Sequence, residues 1–152
     1  VLLVRILLGA VGVVVLGVLV VFMRTGPAMF TSRRQRAALT AEGIVREGVS
    51  RRAMIQLTDY TRRERHFRQL KRNWPCRLIL TRQSFTMLFA GSWLFRVPLA
   101  ELRRYTVAIE GGDLMIASSE PFEATGHFET RIPVEDAAAW AKALAEVGAI
   151  AA

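Results

Sequence analysis

The sequence offers little from which a catalytic or metal centre could be built. It holds one cysteine, Cys76, so no intramolecular disulfide can form and no thiolate metal site can be assembled. Cys76 opens an apolar run and reads as a buried structural thiol; a lone thiol fits a reducing compartment. There are two histidines. His66 lies within an arginine-rich run and reads as solvated, and His127 has no further ligand at metal-binding spacing. Ser118 and Ser119 have no base at a recognisable distance, and Gly111-Gly112 is an isolated turn signal rather than a phosphate loop. Internal repeats and low-complexity tracts are absent. The expectation is a non-catalytic protein with no cofactor and no metal.

Acidic residues are scarce in one part of the chain only. From Arg24 to Arg104 there are 18 Lys+Arg against 5 Asp+Glu, a balance of +13. From Tyr105 to Ala152 there are 2 against 8, a balance of −6. A basic surface beside a bilayer attracts anionic lipid. The plainer reading of the same charge is solubility and topology signalling.

The one long apolar run is Ile6 to Met23, ILLGAVGVVVLGVLVVFM. At about 1.5 Å per residue it spans about 27 Å, close to the hydrocarbon thickness of a bilayer. Residues 1–24 are therefore expected to form a single transmembrane helix, with Arg5 reaching the interface. A cleavable signal peptide is the rival reading. Its apolar core is shorter, and Gly26-Pro27-Ala28 behind Arg24 is a poor cleavage site. Arg24, Arg33, Arg34 and Arg36 follow the run and only Arg5 precedes its core. The positive-inside rule thus places the C-terminal domain in the cytoplasm, at the plasma membrane. Gly9, Gly12 and Gly17 form no GxxxG spacing, so no helix pairing is signalled.

Residues 25–41 read as a basic juxtamembrane linker, in which Arg33 to Ala41 forms either a short helical turn or plain linker, and residues 42–152 read as one domain. Ile44 to Leu57 suggests one or two short strands. Thr58 to Pro75 (TDYTRRERHFRQLKRNWP) is the most basic segment; it reads either as a helix with Phe67 and Leu70 on one face or as a long loop between strands. After Pro75 the pattern alternates. Leu78, Leu80, Phe85, Met87, Phe95, Val97, Tyr105, Val107, Leu114 and Ile116 fall on the inward face of successive strands, with Gly111-Gly112-Asp113 as a hairpin signal. From Pro133 to Val147, Trp140, Leu144 and Val147 recur at helical spacing, and Trp140 and Leu144 are expected to join those ten strand residues in the core. Glu135 and Asp136 suit a first turn, and Gly148 is a natural stop.

In this order, the RLILT strand, the SFTMLF strand, WLFRVPLAELRRYTV, GGDLMIAS and PVEDAAAWAKAL resemble a bacterial pleckstrin-homology-like (PH-like or GRAM-like) domain. The resemblance runs from Cys76 to Val147 and rests on the step Pro98, Leu99, Glu101, Leu102 and on the closing-helix Trp140. Actinobacterial membrane proteins that pair one N-terminal helix with such a domain look similar. The resemblance implies a partly open antiparallel barrel of about six or seven strands with a C-terminal amphipathic helix. It also implies phosphoinositide-like or protein ligands, and it carries over no catalytic residue.

The basic residues are the candidate site: Arg33, Arg34 and Arg36 beside the membrane, and Arg62, Arg63, Arg65, Arg68, Lys71 and Arg72 in the run before Pro75. Arginine dominates, which suits bidentate contacts to phosphate or carboxylate. Three functions follow. One is an anchored interaction module for anionic headgroups or an acidic protein partner; the second is an accessory subunit of a larger membrane complex; an enzyme is the third and least favoured. Tyr60, Phe67 and Trp74 among the arginines could also stack bases. The membrane tether and the lack of a reader motif set nucleic acid aside.

Overall fold

Two long strands organise the molecule. The computed structural model describes residues 33–152; the expected membrane helix and the first part of the linker lie outside the described residues. Strand β1 (Ile44–Arg62) and strand β2 (Arg65–Thr81) form one antiparallel hairpin, closed by Arg63 and Glu64 with Arg62 opposite Arg65. The segment from Thr58 to Pro75 is therefore strand, neither the helix nor the loop that its composition suggested.

Strand β1 shifts register against β2 between Ile44 and Arg46 and between Ser50 and Ala53, and against β7 between Thr58 and Thr61. Pro75 has no N–H to give the ladder, and β1 bulges opposite it: Ser50 pairs with Cys76 and Ala53 with Trp74, leaving Arg51 and Arg52 unpaired. At Asp59 the backbone takes φ 46°, and the β1–β7 register shifts between Thr58 and Thr61. Gly126 lies against this shift with φ +91°, and a Cβ there would sit 2.1 Å from the Asp59 carbonyl oxygen, so only glycine fits.

The remaining elements are β3 (Ser84–Phe89), β4 (Trp93–Pro98), a 3-10 helix (Leu99–Arg104), β5 (Thr106–Glu110), β6 (Asp113–Ser118), β7 (Thr125–Ile132), helix α2 (Ala137–Glu146) and the short β8 (Ile150–Ala151). Together they make an eight-stranded sheet in the order β4-β3-β2-β1-β7-β6-β5-β8, curled into a half-barrel. The expected mainly-β domain with a C-terminal helix is thus what forms. Its eighth strand pairs parallel to β5 through Ile150 and Ala151. The Gly111-Gly112 turn joins β5 to β6 as its sequence predicts, both glycines having positive φ.

One apolar cluster fills the curl, and the twelve residues expected in the core are all buried. Helix α2 covers β1 where β7 no longer pairs with it. Trp140 lies over Gly48, stacks near Phe85 at 6.2 Å between ring centroids, and receives the Arg46 guanidinium on its ring at 5.6 Å. Glu135 and Asp136 precede this helix rather than forming its first turn. Asp136 takes a left-handed conformation as N-cap and makes no capping bond with its side chain. Gly148 (φ +125°) ends the last turn, where the Ala149 N–H bonds the Leu144 carbonyl.

Residues 33–41, read as a short helical turn or linker, belong to helix α1 (Arg33–Glu42), which docks on the sheet. Leu39 is buried, and Glu42 fixes the end of the helix. Its carboxylate accepts hydrogen bonds from the Thr81 and Ser84 hydroxyls, each at 2.7 Å, and pairs with Arg96. Charge-assisted bonds to a nearly buried carboxylate tie α1 to β2, β3 and β4.

Candidate functional site

The tip of the β1–β2 hairpin and the turn between β3 and β4 enclose a groove of about 750 Å³. Its walls are Tyr60, Phe67, Trp93 and Phe95, and its rim carries Arg62, Arg63 and Arg65 with one acid, Glu64. These parts meet because the hairpin outruns its neighbours. β3 pairs with β2 only over Cys76–Leu80, and the last bond joins the Ala90 N–H to the Pro75 carbonyl at 2.9 Å. Beyond that point the hairpin extends past the β3–β4 turn, and Trp93 fills the corner. Trp93 packs on both Phe67 and Trp74, with ring centroids 5.3 Å apart in each case.

Arg62 is the structural member of the rim. Its guanidinium donates to the Leu94 carbonyl at 2.6 Å and lies 5.5 Å from the centre of the Phe95 ring. It thereby fastens the tip to β4 across the groove. Arg63 and Arg65 are exposed and form no ion pair among the described residues. Arg65 stands directly opposite Arg62, so like charges face each other across the ladder. Arg63 holds φ 54°, a region that L-residues with a Cβ rarely adopt. The tip therefore concentrates positive charge that the protein leaves unneutralised. Burial pushes the Tyr60 phenol up to about 12 despite the nearby Arg62 cation, so its hydroxyl stays protonated at neutral pH.

The nine basic residues singled out in the sequence fall at three places. Arg62, Arg63 and Arg65 line the groove. Arg68, Lys71 and Arg72 run exposed along β2 towards Trp74, and Arg72 bonds the neighbouring Lys71 carbonyl at 2.9 Å. Arg33, Arg34 and Arg36 are exposed on α1, where Arg36 pairs with Glu47 at 3.6 Å. Sequence reasoning missed the β4 side of the groove: Ser92, the Leu94 carbonyl and the role of Trp93 as its corner. Ala90-Gly91-Ser92 reads as a tight connection from its residues alone, but nothing local ties it to a tip about thirty residues earlier.

Among the described residues no group of His, Cys, Asp and Glu could hold a metal ion. His66 shares a hydrogen bond with the Thr61 hydroxyl at 2.7 Å, and His127 lies 3.5 Å from Glu129. The Ser118 hydroxyl donates to the Arg104 carbonyl at 2.6 Å, which ties down the 3-10 helix. Burial raises the Cys76 thiol far above its ordinary value, leaving it unreactive. Among the described residues no helix is long and apolar enough to cross a membrane; the Ile6–Met23 run lies outside them. What the groove can do is hold an anion between arginines and a hydroxyl donor, over aromatic walls. Comparison with family models, curated proteins and solved structures returns no match for this chain.

Proposed function

We propose that the chain is a membrane-anchored, non-catalytic module with a PH-like fold, whose hairpin-tip groove contacts anionic lipid headgroups at the cytoplasmic face. The observation that carries this reading is the unneutralised cation cluster of Arg62, Arg63 and Arg65 on an open groove. An anionic headgroup relieves the repulsion between these side chains and accepts bidentate bonds from them. The aromatic walls suit the wet-to-apolar boundary at headgroup depth. With the domain tethered by residues 1–24, its effective concentration at the bilayer is high, so a weak contact suffices.

The PH-like assignment draws support from connectivity. Four strands meander, three more follow, the first strand pairs with the seventh, and a C-terminal helix with a buried Trp closes one end. The test is co-sedimentation of residues 33–152, whose single core lies wholly within that range, with vesicles of phosphatidylcholine alone or mixed with phosphatidylserine. Pelleting with the anionic vesicles only, weakening as salt rises, is expected. Absence of pelleting at low salt would sink the proposal and leave the accessory-subunit reading.

A further inference from the structure

Strand β2 has a partner on one side for its whole length and on the other for barely a third of it. β1 pairs with it from Arg65 to Thr81, whereas β3 pairs only with Cys76 to Leu80. From Arg65 to Trp74 no strand lies beside the outer edge among the described residues. Alternate residues of that stretch therefore direct N–H and C=O groups away from the sheet. Such an edge is a template for another strand. This one carries Arg65, Arg68, Lys71 and Arg72 and no acidic residue. None of the four has an ion pair among the described residues.

We propose that the free edge of β2, from Arg65 to Trp74, is a docking strand for an extended acidic peptide segment of a partner protein, which adds to the sheet beside it. The charge selects the occupant. A second copy of the same edge would bring four cations against four and is repelled, so the edge guards against self-association. A basic or neutral segment gains no such attraction. An acidic one meets a cation along most of its length, while ladder bonds fix its register. The corner where Trp93 packs on Phe67 and Trp74 lies alongside and gives apolar residues of the incoming strand an aromatic surface. Arg65 and Phe67 belong to both groove and edge, but this inference concerns the backbone bonds of the edge and does not rest on headgroup contact.

The test uses the full chain in nanodiscs of phosphatidylcholine. The probe is a labelled peptide of about ten residues alternating Glu with Val, and its control has alternate amides N-methylated, which keeps the charge and removes the edge bonds. Fluorescence anisotropy should give saturable binding of the first, weakened about tenfold or more by N-methylation, since several hydrogen bonds are lost together. Lys71→Glu with Arg72→Glu should weaken it to a similar extent. Amide exchange of residues 65–74 should slow in the complex. Equal binding of the methylated peptide, or protection confined to the groove rim, would reduce the effect to charge attraction and overturn the proposal. Absence of binding would overturn it too, leaving the edge cations as guards. Vesicle pelleting reads headgroup attraction and the methylated peptide reads the edge bonds, so the two proposals fail separately.

Discussion

Gly48 and Trp140 give a direct view of how helix α2 closes the half-barrel. A Cβ on Gly48 would lie 3.0 Å from the indole nitrogen and 3.1 Å from the nearest ring carbon of Trp140. Gly48 does not occupy a positive-φ conformation, so alanine there is unstrained in itself and any cost comes from the indole. Trp140 is only 2% exposed and packs beside Phe85, so the indole must give by a few tenths of an ångström inside the core. Gly48→Ala should then destabilise by about 1–2 kcal/mol, the range for overpacking a tight core. Trp140→Ala should cost about 3–5 kcal/mol through lost burial and the cavity left behind. In the double variant the added methyl meets space, and alanine is favoured over glycine within a strand by about 0.5–1 kcal/mol. Gly48→Ala should therefore turn neutral or stabilising once Trp140 is gone, a coupling of about 2 kcal/mol. Urea denaturation of residues 33–152, followed by far-ultraviolet circular dichroism, measures all four corners of the cycle. Costs that add to within about 0.5 kcal/mol would refute direct contact between the helix and β1.

Two further outcomes test the tip and the core. Arg63→Gly should be about 1 kcal/mol more stable than Arg63→Ala, because glycine alone accepts φ 54° without strain, while the two lose vesicle binding equally; urea melts and pelleting check this. Tyr60 is held neutral in the fold with its pKa raised from 10.0 to about 12. Its contribution is full below the unfolded value and is lost as pH rises through the folded one. Stability should accordingly fall above pH 10, by about 2 kcal/mol from Tyr60 by pH 12. Tyr105, raised by burial, and Cys76 add in the same direction. Tyr60→Phe should make the decline of melting temperature between pH 9 and 11 shallower.

Much of the fold was legible where one face of each strand is buried and the other is not. Phe95 and Val97 alternate with exposed Arg96, and Leu114 and Ile116 alternate likewise, so period two marks the core. The basic segment hid its strand for a physical reason. Past β3 the hairpin has water on much of both faces, so alternation has nothing to report. At Asp59 the left-handed backbone changes which residues point inward, from Ile55 and Leu57 to Tyr60. Their partners on β2 are Leu70 opposite Leu57 and Phe67 opposite Tyr60. Those two are three residues apart, which is the spacing of a helical face. The docking of helix α1, unlike its helical turn, was hidden by its polar composition: Leu39 is its one buried residue, and its docking rests on Glu42, whose partners lie about forty residues on.

Arg63 and Arg65 give the sharpest test of the groove, because neither side chain bonds another of the described residues and both can be neutralised without unfastening the tip. In pelleting assays with phosphatidylserine-containing vesicles, Arg63→Gln with Arg65→Gln in residues 33–152 should weaken binding about thirtyfold, from about 1 kcal/mol of attraction per cation. Arg33→Gln with Arg34→Gln on α1 should weaken it by less. Unchanged binding of the tip variant, with loss in the α1 variant, would contradict the groove as the headgroup site.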